Sequence, residues 1–408
     1  MLRTSFSINR IEKILEVSLL SAVFVLPFSI ALMEIGFVAV FASWFLLKFL
    51  KKENLFPDRF FLILIGLFIA TSSVSALYSG YPAASFRGII KIVKYSTVFL
   101  IAADFFRDKK HFDRLLLIGS MSLLIVLADS MAQLMIGRDL INNFKIYHAE
   151  FLVRLTGPYQ FYGLLAAQLI AILPLLLSLI FIKASNQQIL NRLFLIVLFL
   201  SGLFVLYKSH SRGAWLASFG SWLIYALFIK SKKLFSILIL LLILAPFIIP
   251  RSAIIHEDIK DREQSLFERY RLWERAIQVI EKRPWFGCGI NTYTKNYPRY
   301  DEVKSWRVPG YYVHNGYLQI AAETGLPSLF LFLLLIGRSL IFGLRAIRSS
   351  IGEKRLLIVG VFCGCMALLF QATVDTTLHN LQSAILIWLF LGLLVGLKNS
   401  APYPATNA

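Results

Sequence analysis

The side chains able to do chemistry in this chain are few and far apart. His314, at the end of a long polar stretch, is the residue type best poised near neutral pH to accept a proton from a hydroxyl. It is a candidate general base, against the plainer reading of a structural hydrogen-bonding group; His148, His210, His256 and His379 are weaker rivals. Arg212, in Ser209-His210-Ser211-Arg212-Gly213, carries planar donors suited to phosphate oxygens. A serine ahead of a helix can cap its free amides, and the positive end of the helix dipole favours an anion there. The competing reading of Arg212 is an interfacial arginine reaching to lipid headgroups. Arg87, Lys91 and Lys94 recur at i, i+4 and i+7, along one helix face. Bare cations against lipid tails would each cost about 2.5 to 3.5 kcal/mol, so this stripe is expected to face the protein interior, water or a bound anion.

Arg269 and Arg271 stand near the start of an amphipathic stretch, and residues two apart on a helix point to different sides, so one of the two is expected to face inward. Asp375, followed by Thr376, Thr377 and His379, could orient His314, pair with an arginine or cap a helix. His256, Glu257, Asp258 and Asp261 lack any recognised ligand spacing, so no metal site is expected. Cys288, Cys363 and Cys365 form neither a disulfide framework nor a metal quartet.

The elements that must position these residues follow from composition. With 408 residues, 58% of them hydrophobic, the chain has more apolar surface than a soluble core can bury. Continuous apolar runs such as 234–250 exclude the alternating pattern of a membrane barrel and specify helices. Spans are expected near 15–33, 35–50, 59–77, 88–106, 115–136, 161–182, 193–208, 213–229, 234–250, 325–344, 356–375 and 381–397, about twelve in all. Arg3, Arg10 and Lys13 precede the first of them without a small-residue cleavage site, which reads as a retained helix rather than a signal peptide. The net charge of +19 would suggest nucleic acid in a soluble protein, but the cations sit mostly in short loops after even-numbered spans. Lys51, Lys110, Lys232 and Arg348 are examples, and the asymmetry puts both termini on the cytoplasmic side.

The long segment 251–324 then lies outside, together with the loops near 78–87, 137–160, 209–212 and 376–380. Within that segment Leu266, Tyr270, Trp273, Ile277 and Ile280 recur at helical spacing, predicting an amphipathic helix that Pro284 stops. The tyrosines and tryptophans after it read as interfacial anchors, with stacking on sugar rings as the sharper alternative. Many cations, one candidate base and no nucleotide-binding glycine loop thus share one membrane face. That set suits substitution at a carbon whose leaving group is a lipid-linked phosphate or pyrophosphate, with arginines stabilising the departing charge.

The residues resemble the O-antigen ligase family, whose wider superfamily includes O-antigen polymerases. Ser209-His210-Ser211-Arg212-Gly213 carries the resemblance, as do Arg269 with Trp273 and Arg283-Pro284-Trp285-Phe286-Gly287-Cys288-Gly289, and His314-Asn315 through Gln319 to Glu323 and Gly325. Thr156-Gly157-Pro158-Tyr159-Gln160 is a looser match. The resemblance implies an all-α polytopic glycosyltransferase of the GT-C-like type: one membrane domain over 1–408, with 251–324 as its large periplasmic loop. It implies metal-independent transfer of polysaccharide from undecaprenyl pyrophosphate to lipid A-core at the periplasmic face of the bacterial inner membrane, by an inverting single displacement. In that scheme Arg212 and Arg269 bind the pyrophosphate and His314 activates the acceptor hydroxyl; Arg87, Lys91, Lys94, Arg271 and Asp375 are expected to contact substrate. An O-antigen or exopolysaccharide polymerase is the nearest alternative, and a lipid-linked sugar transporter or flippase a second, since Lys91 and Lys94 also suit a midplane site. The short remainder after the last span argues against a protein-glycosylating relative.

Overall fold

The chain folds as helices because its apolar runs leave no other way to satisfy backbone polar groups. The computed structural model describes residues 2–54, 58–149, 152–182, 189–248, 259–296 and 312–400. In chain order the elements are α1 (Leu2–Val25), α2 (Ile30–Lys51), α3 (Arg59–Leu77), α4 (Pro82–Phe105), α5 (Lys109–Ile136), a hairpin of β1 (Tyr147–Ala149) and β2 (Leu152–Arg154), α6 (Tyr162–Phe181), α7 (Ile189–Lys208), α8 (Arg212–Phe228) and α9 (Lys232–Ile248). They continue as α10 (Ile259–Lys282), α11 (Tyr293–Asn296), α12 (Gly316–Thr324), α13 (Leu326–Ser349), α14 (Gly352–Gln371) and α15 (Leu381–Lys398). Leaving aside α10 and the two short helices α11 and α12, these helices overlap the expected spans one for one. Among the described residues, six are long and apolar enough to cross a membrane: α2, α3, α5, α6, α13 and α15. The protein is therefore an all-α, multi-pass membrane protein.

The first boundary departs from the expectation of a span over 15–33. α1 ends at Val25, and Ser29 begins α2 by accepting a hydrogen bond from the Leu32 N–H at 3.3 Å. Pro27, lying between them, carries no N–H with which to continue the helix, and that outweighs the unbroken apolarity of the run. The centre of the bundle is α15, on which every residue from Gln382 to Leu397 is buried. It packs on α4, α13 and α14, while α14 packs in turn on α6 and α8. Gly364 lets α14 approach α6 so closely that a Cβ there would lie 2.2 Å from the Ala171 carbonyl oxygen. Small residues at crossings are how membrane helices gain dispersion contacts when lipid competes for apolar surface.

The two ends of the bundle differ in their charges. At one end acids and bases pair: Lys48 lies 2.7 Å from Asp104 and 2.9 Å from Glu53, and Arg338 lies 2.8 Å from Asp58. Lys51 pairs with Glu12 there, and Arg114 with Glu16. The other end carries the loops to which the sequence assigns the chemistry. α10 lies in that layer as an amphipathic helix, but its buried stripe is Leu272, Ala276 and Val279, whereas Tyr270 and Ile277 are exposed. The expected stripe is rotated from the observed one because it follows large apolar residues, while the helix packs a small alanine against its neighbours. With Cys288, Tyr293, Val313 and Ala322 the stripe makes a second, smaller core.

Candidate active site

Four loops meet at this end, and the contacts between them can be followed atom by atom. Asn315 caps α12, accepting from the N–H groups of Tyr317 at 3.1 Å and Leu318 at 3.0 Å. The Gly316 N–H donates to the carbonyl of Ala372 at 2.8 Å, which pins the start of α12 to the end of α14. His314 therefore stands directly before a capped and anchored helix, with a left-handed φ of 54°. Non-glycine residues held in that region store strain of about 1 to 3 kcal/mol and cluster at functional sites. In the turn after α14, the Asp375 carboxylate accepts from the Thr376 N–H at 2.7 Å and faces the His314 Nδ1 at 3.6 Å. Such contacts commonly tighten from apo to substrate-bound states. Burial pushes the Asp375 carboxyl up, but the His314 imidazole, the Thr376 N–H and the charge of Arg269 on α10 outweigh it and hold it below its ordinary range.

Arg212 reaches the same place by another route. α7 ends at Lys208, whose carbonyl accepts from the Leu155 N–H at 3.1 Å, and His210 turns the chain with φ 50°. Arg212 is then the first residue of α8, and the Trp215 ring N–H ties that start back to the Leu206 carbonyl at 2.9 Å. Gly213 packs on the next loop so tightly that a Cβ would come within 2.8 Å of Val374, the neighbour of Asp375. A Cβ on Gly163, at the start of α6, would stand 3.2 Å from the Asp375 carboxylate itself. The expected serine cap is not made: Ser211 forms no side-chain bond to the helix, and Ser209 instead donates to the Leu206 carbonyl at 2.7 Å. The Ser209 hydroxyl oxygen also accepts from the Ser211 N–H at 3.3 Å, just ahead of α8.

His314 and Asp375 thus face each other in one turn, the charge of Arg269 acts on Asp375, and the backbone beside Arg212 packs against Val374. Arg269 and Arg271 are both half-buried on α10. The stripe on α4 separates. Arg87 is exposed, Lys91 donates to the Asn291 side chain at 3.2 Å, and Lys94 pairs with Glu34 of α2. Lys91 opens on a cavity of about 70 Å³ on the other side of the turn, with His379, Glu323 and Asn291 above it and Phe68, Phe332 and Trp388 below. His379 Nδ1 accepts from the Gln319 amide N–H at 3.1 Å, and its ring lies tilted against Tyr312 with centroids 4.5 Å apart. Burial, then the charge of Lys91, pushes His379 down to about 3, so it is a poor base and leaves that role in this turn to His314.

His148 and His256 with its acidic neighbours fall where no side chain is described, and among the described residues no group of three or more histidine, cysteine or acidic side chains is placed to hold a metal. Sequence reasoning gives no role to Asn291, left-handed at φ 58°, or to Glu323. The signal that could have found the latter is an acid in an otherwise apolar turn of helix.

Residues 194–333 match the family model described as O-antigen ligase. This match, over about a third of the chain, supports the O-antigen ligase family. The match runs from α7 through the arginines of α8 and α10 to His314 and the first turns of α13. It supports a place among the membrane proteins of the O-antigen ligase and polymerase superfamily. No curated protein matches the chain.

Proposed function

We propose that this chain is the ligase that moves polysaccharide from undecaprenyl pyrophosphate to lipid A-core at the periplasmic face of the inner membrane. The observation that supports the reading is the His314–Asp375 pair, with the charge of Arg269 acting on Asp375 and Gly213, the neighbour of Arg212, packed against Val374. His314 Nδ1 faces Asp375, which leaves Nε2 for the acceptor hydroxyl. As the acceptor oxygen bonds to the anomeric carbon, its proton passes to Nε2 and the bond from that carbon to the pyrophosphate oxygen breaks. The electron pair leaves with the carrier diphosphate, whose growing charge the guanidinium groups of Arg212 and Arg269 neutralise together with the amide end of α8. Asp375 holds the imidazole in the tautomer that accepts at Nε2 and stabilises the imidazolium formed.

Arg271 and Arg87 extend the cationic lining toward the glycan and the membrane surface, and Lys91 and Lys94 contribute field from behind their Asn291 and Glu34 partners. A twelve-span, GT-C-like arrangement with cytoplasmic termini puts segment 251–324 and this site outside, where nucleotide sugars are absent and a lipid-carried donor is at hand. The turn serves a base and two arginines, a set that needs no metal, so chelator leaves transfer intact.

A strain lacking the chain tests the assignment. Unsubstituted core together with polymerised glycan still on its carrier is the expected result. Single repeat units attached to core would instead assign it as the polymerase, and purified protein that makes no new glycan bond would assign it as a transporter.

A further inference from the structure

Glu323 takes no part in these steps, yet its buried carboxylate accepts three hydrogen bonds. Its side chain is 5% exposed. One carboxylate oxygen accepts from the Asn291 N–H at 2.8 Å, and the other from the Tyr293 N–H at 3.1 Å and the Gln319 amide at 3.3 Å. The backbone beside it is engaged as well. The Glu323 carbonyl accepts from the Gly289 N–H at 3.0 Å and the Ser75 hydroxyl at 2.7 Å, the Ala322 carbonyl from the Cys288 N–H at 2.9 Å, and the Leu326 N–H donates to Pro284 at 2.8 Å. All the partners but Ser75 and Gln319 lie in residues 284–293, the segment that leaves α10. Glycine is needed where this seam closes: at Gly287, with φ 63°, a Cβ would lie 2.5 Å from the Glu323 carbonyl oxygen.

We propose, resting on the function above, that Glu323 is a positioning residue: its carboxylate locks the segment leaving the Arg269 helix onto the helix that begins after His314, and so sets the separation of that arginine from the imidazole. The leverage is large. Arg269 stands thirteen residues before the end of α10 at Lys282, about 20 Å of rigid helix, so a tilt of about 5° at the seam moves it by roughly 1.7 Å. Displacements of about 1 Å cost on the order of a hundredfold where charge must meet a reacting group. Glutamine in place of Glu323 keeps one oxygen for a backbone donor and turns an N–H₂ toward the other, so the lock opens with little change of volume.

The test uses the full chain in lipid nanodiscs, with spin labels at Tyr270→Cys and Phe330→Cys, which are 65% and 61% exposed. The three native cysteines are buried and stay unlabelled. A single narrow distance is expected in the otherwise unmodified chain. Glu323→Gln should broaden or shift it by about 2 Å or more, and lower kcat between tenfold and a hundredfold with donor KM within threefold. Gly287→Ala, whose methyl would be driven into the Glu323 backbone carbonyl and so forces the same seam apart without touching the carboxylate, should broaden it too. An unchanged distance with kcat within threefold overturns the proposal, and so does a variant that only loses yield and melting temperature while each folded molecule transfers at the normal rate. If the unmodified chain transfers nothing, the functional reading falls, while the distance measurement still decides the role of the seam.

Discussion

Replacing Asp375 with asparagine changes one charge and almost no volume, and the structure gives the size of the effect. Asp375→Asn keeps an oxygen for the Thr376 N–H and removes the negative charge 3.6 Å from the imidazole. Two unit charges at that separation interact by about 4.6 kcal/mol at an effective dielectric of about 20. Some 28% of the His314 side chain and 27% of the Asp375 side chain face solvent, so roughly half of this survives screening, about 2 kcal/mol. The imidazolium exists only once the acceptor proton has moved, so the loss falls on the transition state and not on donor binding. The variant should lose about thirtyfold in kcat, at about 1.4 kcal/mol per decade. Donor KM should stay level or fall, because Asp375 no longer competes with the diphosphate for Arg269. Initial rates of glycan transfer with purified protein, at saturating acceptor and varied donor, measure both terms. A kcat within threefold of the parent, or a loss confined to KM, would refute the pairing as a catalytic one.

The other expectations are independent of that pair. Arg212→Lys keeps the charge but loses the planar fork, so transfer should fall at least tenfold in the same assay, and Arg212→Ala and Arg269→Ala should each fall further; wild-type rates in either alanine variant remove that residue from the mechanism. Burial raises the Glu323 carboxyl from 4.5 to about 7 against the pull of its backbone donors and Lys91. The folded chain thus binds this proton more tightly than the unfolded one, and the contribution, about 3 kcal/mol, is complete below about pH 4.5 and lost as pH rises through about 7. Melting curves of Glu323→Gln against the parent should therefore diverge in favour of the variant between about pH 5 and 8; a constant offset would contradict the burial argument. Gly364→Ala would drive a methyl into the Ala171 carbonyl and should lower the melting temperature of the solubilised protein by several degrees, with a smaller effect from Gly337→Ala, whose Cβ position is open.

What could be read from the sequence, and what could not, divides by the distance over which the cause acts. Apolar runs fix helices locally, so the long helices fall where expected, and even the missed boundary at Pro27 is a local cue outweighed by a hydropathy count. The approach of His314 to Asp375 was within reach of the sequence because a bilayer reduces the folding problem: once loop charges suggest an orientation, residues far apart in sequence are confined to one thin layer. Within that layer the pairing rule fails. Lys91 and Lys94 look in the sequence like free cations in need of an anion, but their partners Asn291 and Glu34 lie 200 and 60 residues away and no periodicity announces them. Glu323 is harder still, since what it grips are backbone N–H groups presented by a left-handed Asn291, and backbone donors leave no mark in a sequence. The same physics accounts for both outcomes. A charge in this layer must find water, substrate or a buried partner, and only the residues whose partners lie within the protein are withdrawn from chemistry. In the transfer proposed above, a diphosphate would enter where the strained His314 faces the ionised Asp375 with the charge of Arg269 beside it, and would meet charge already held in place.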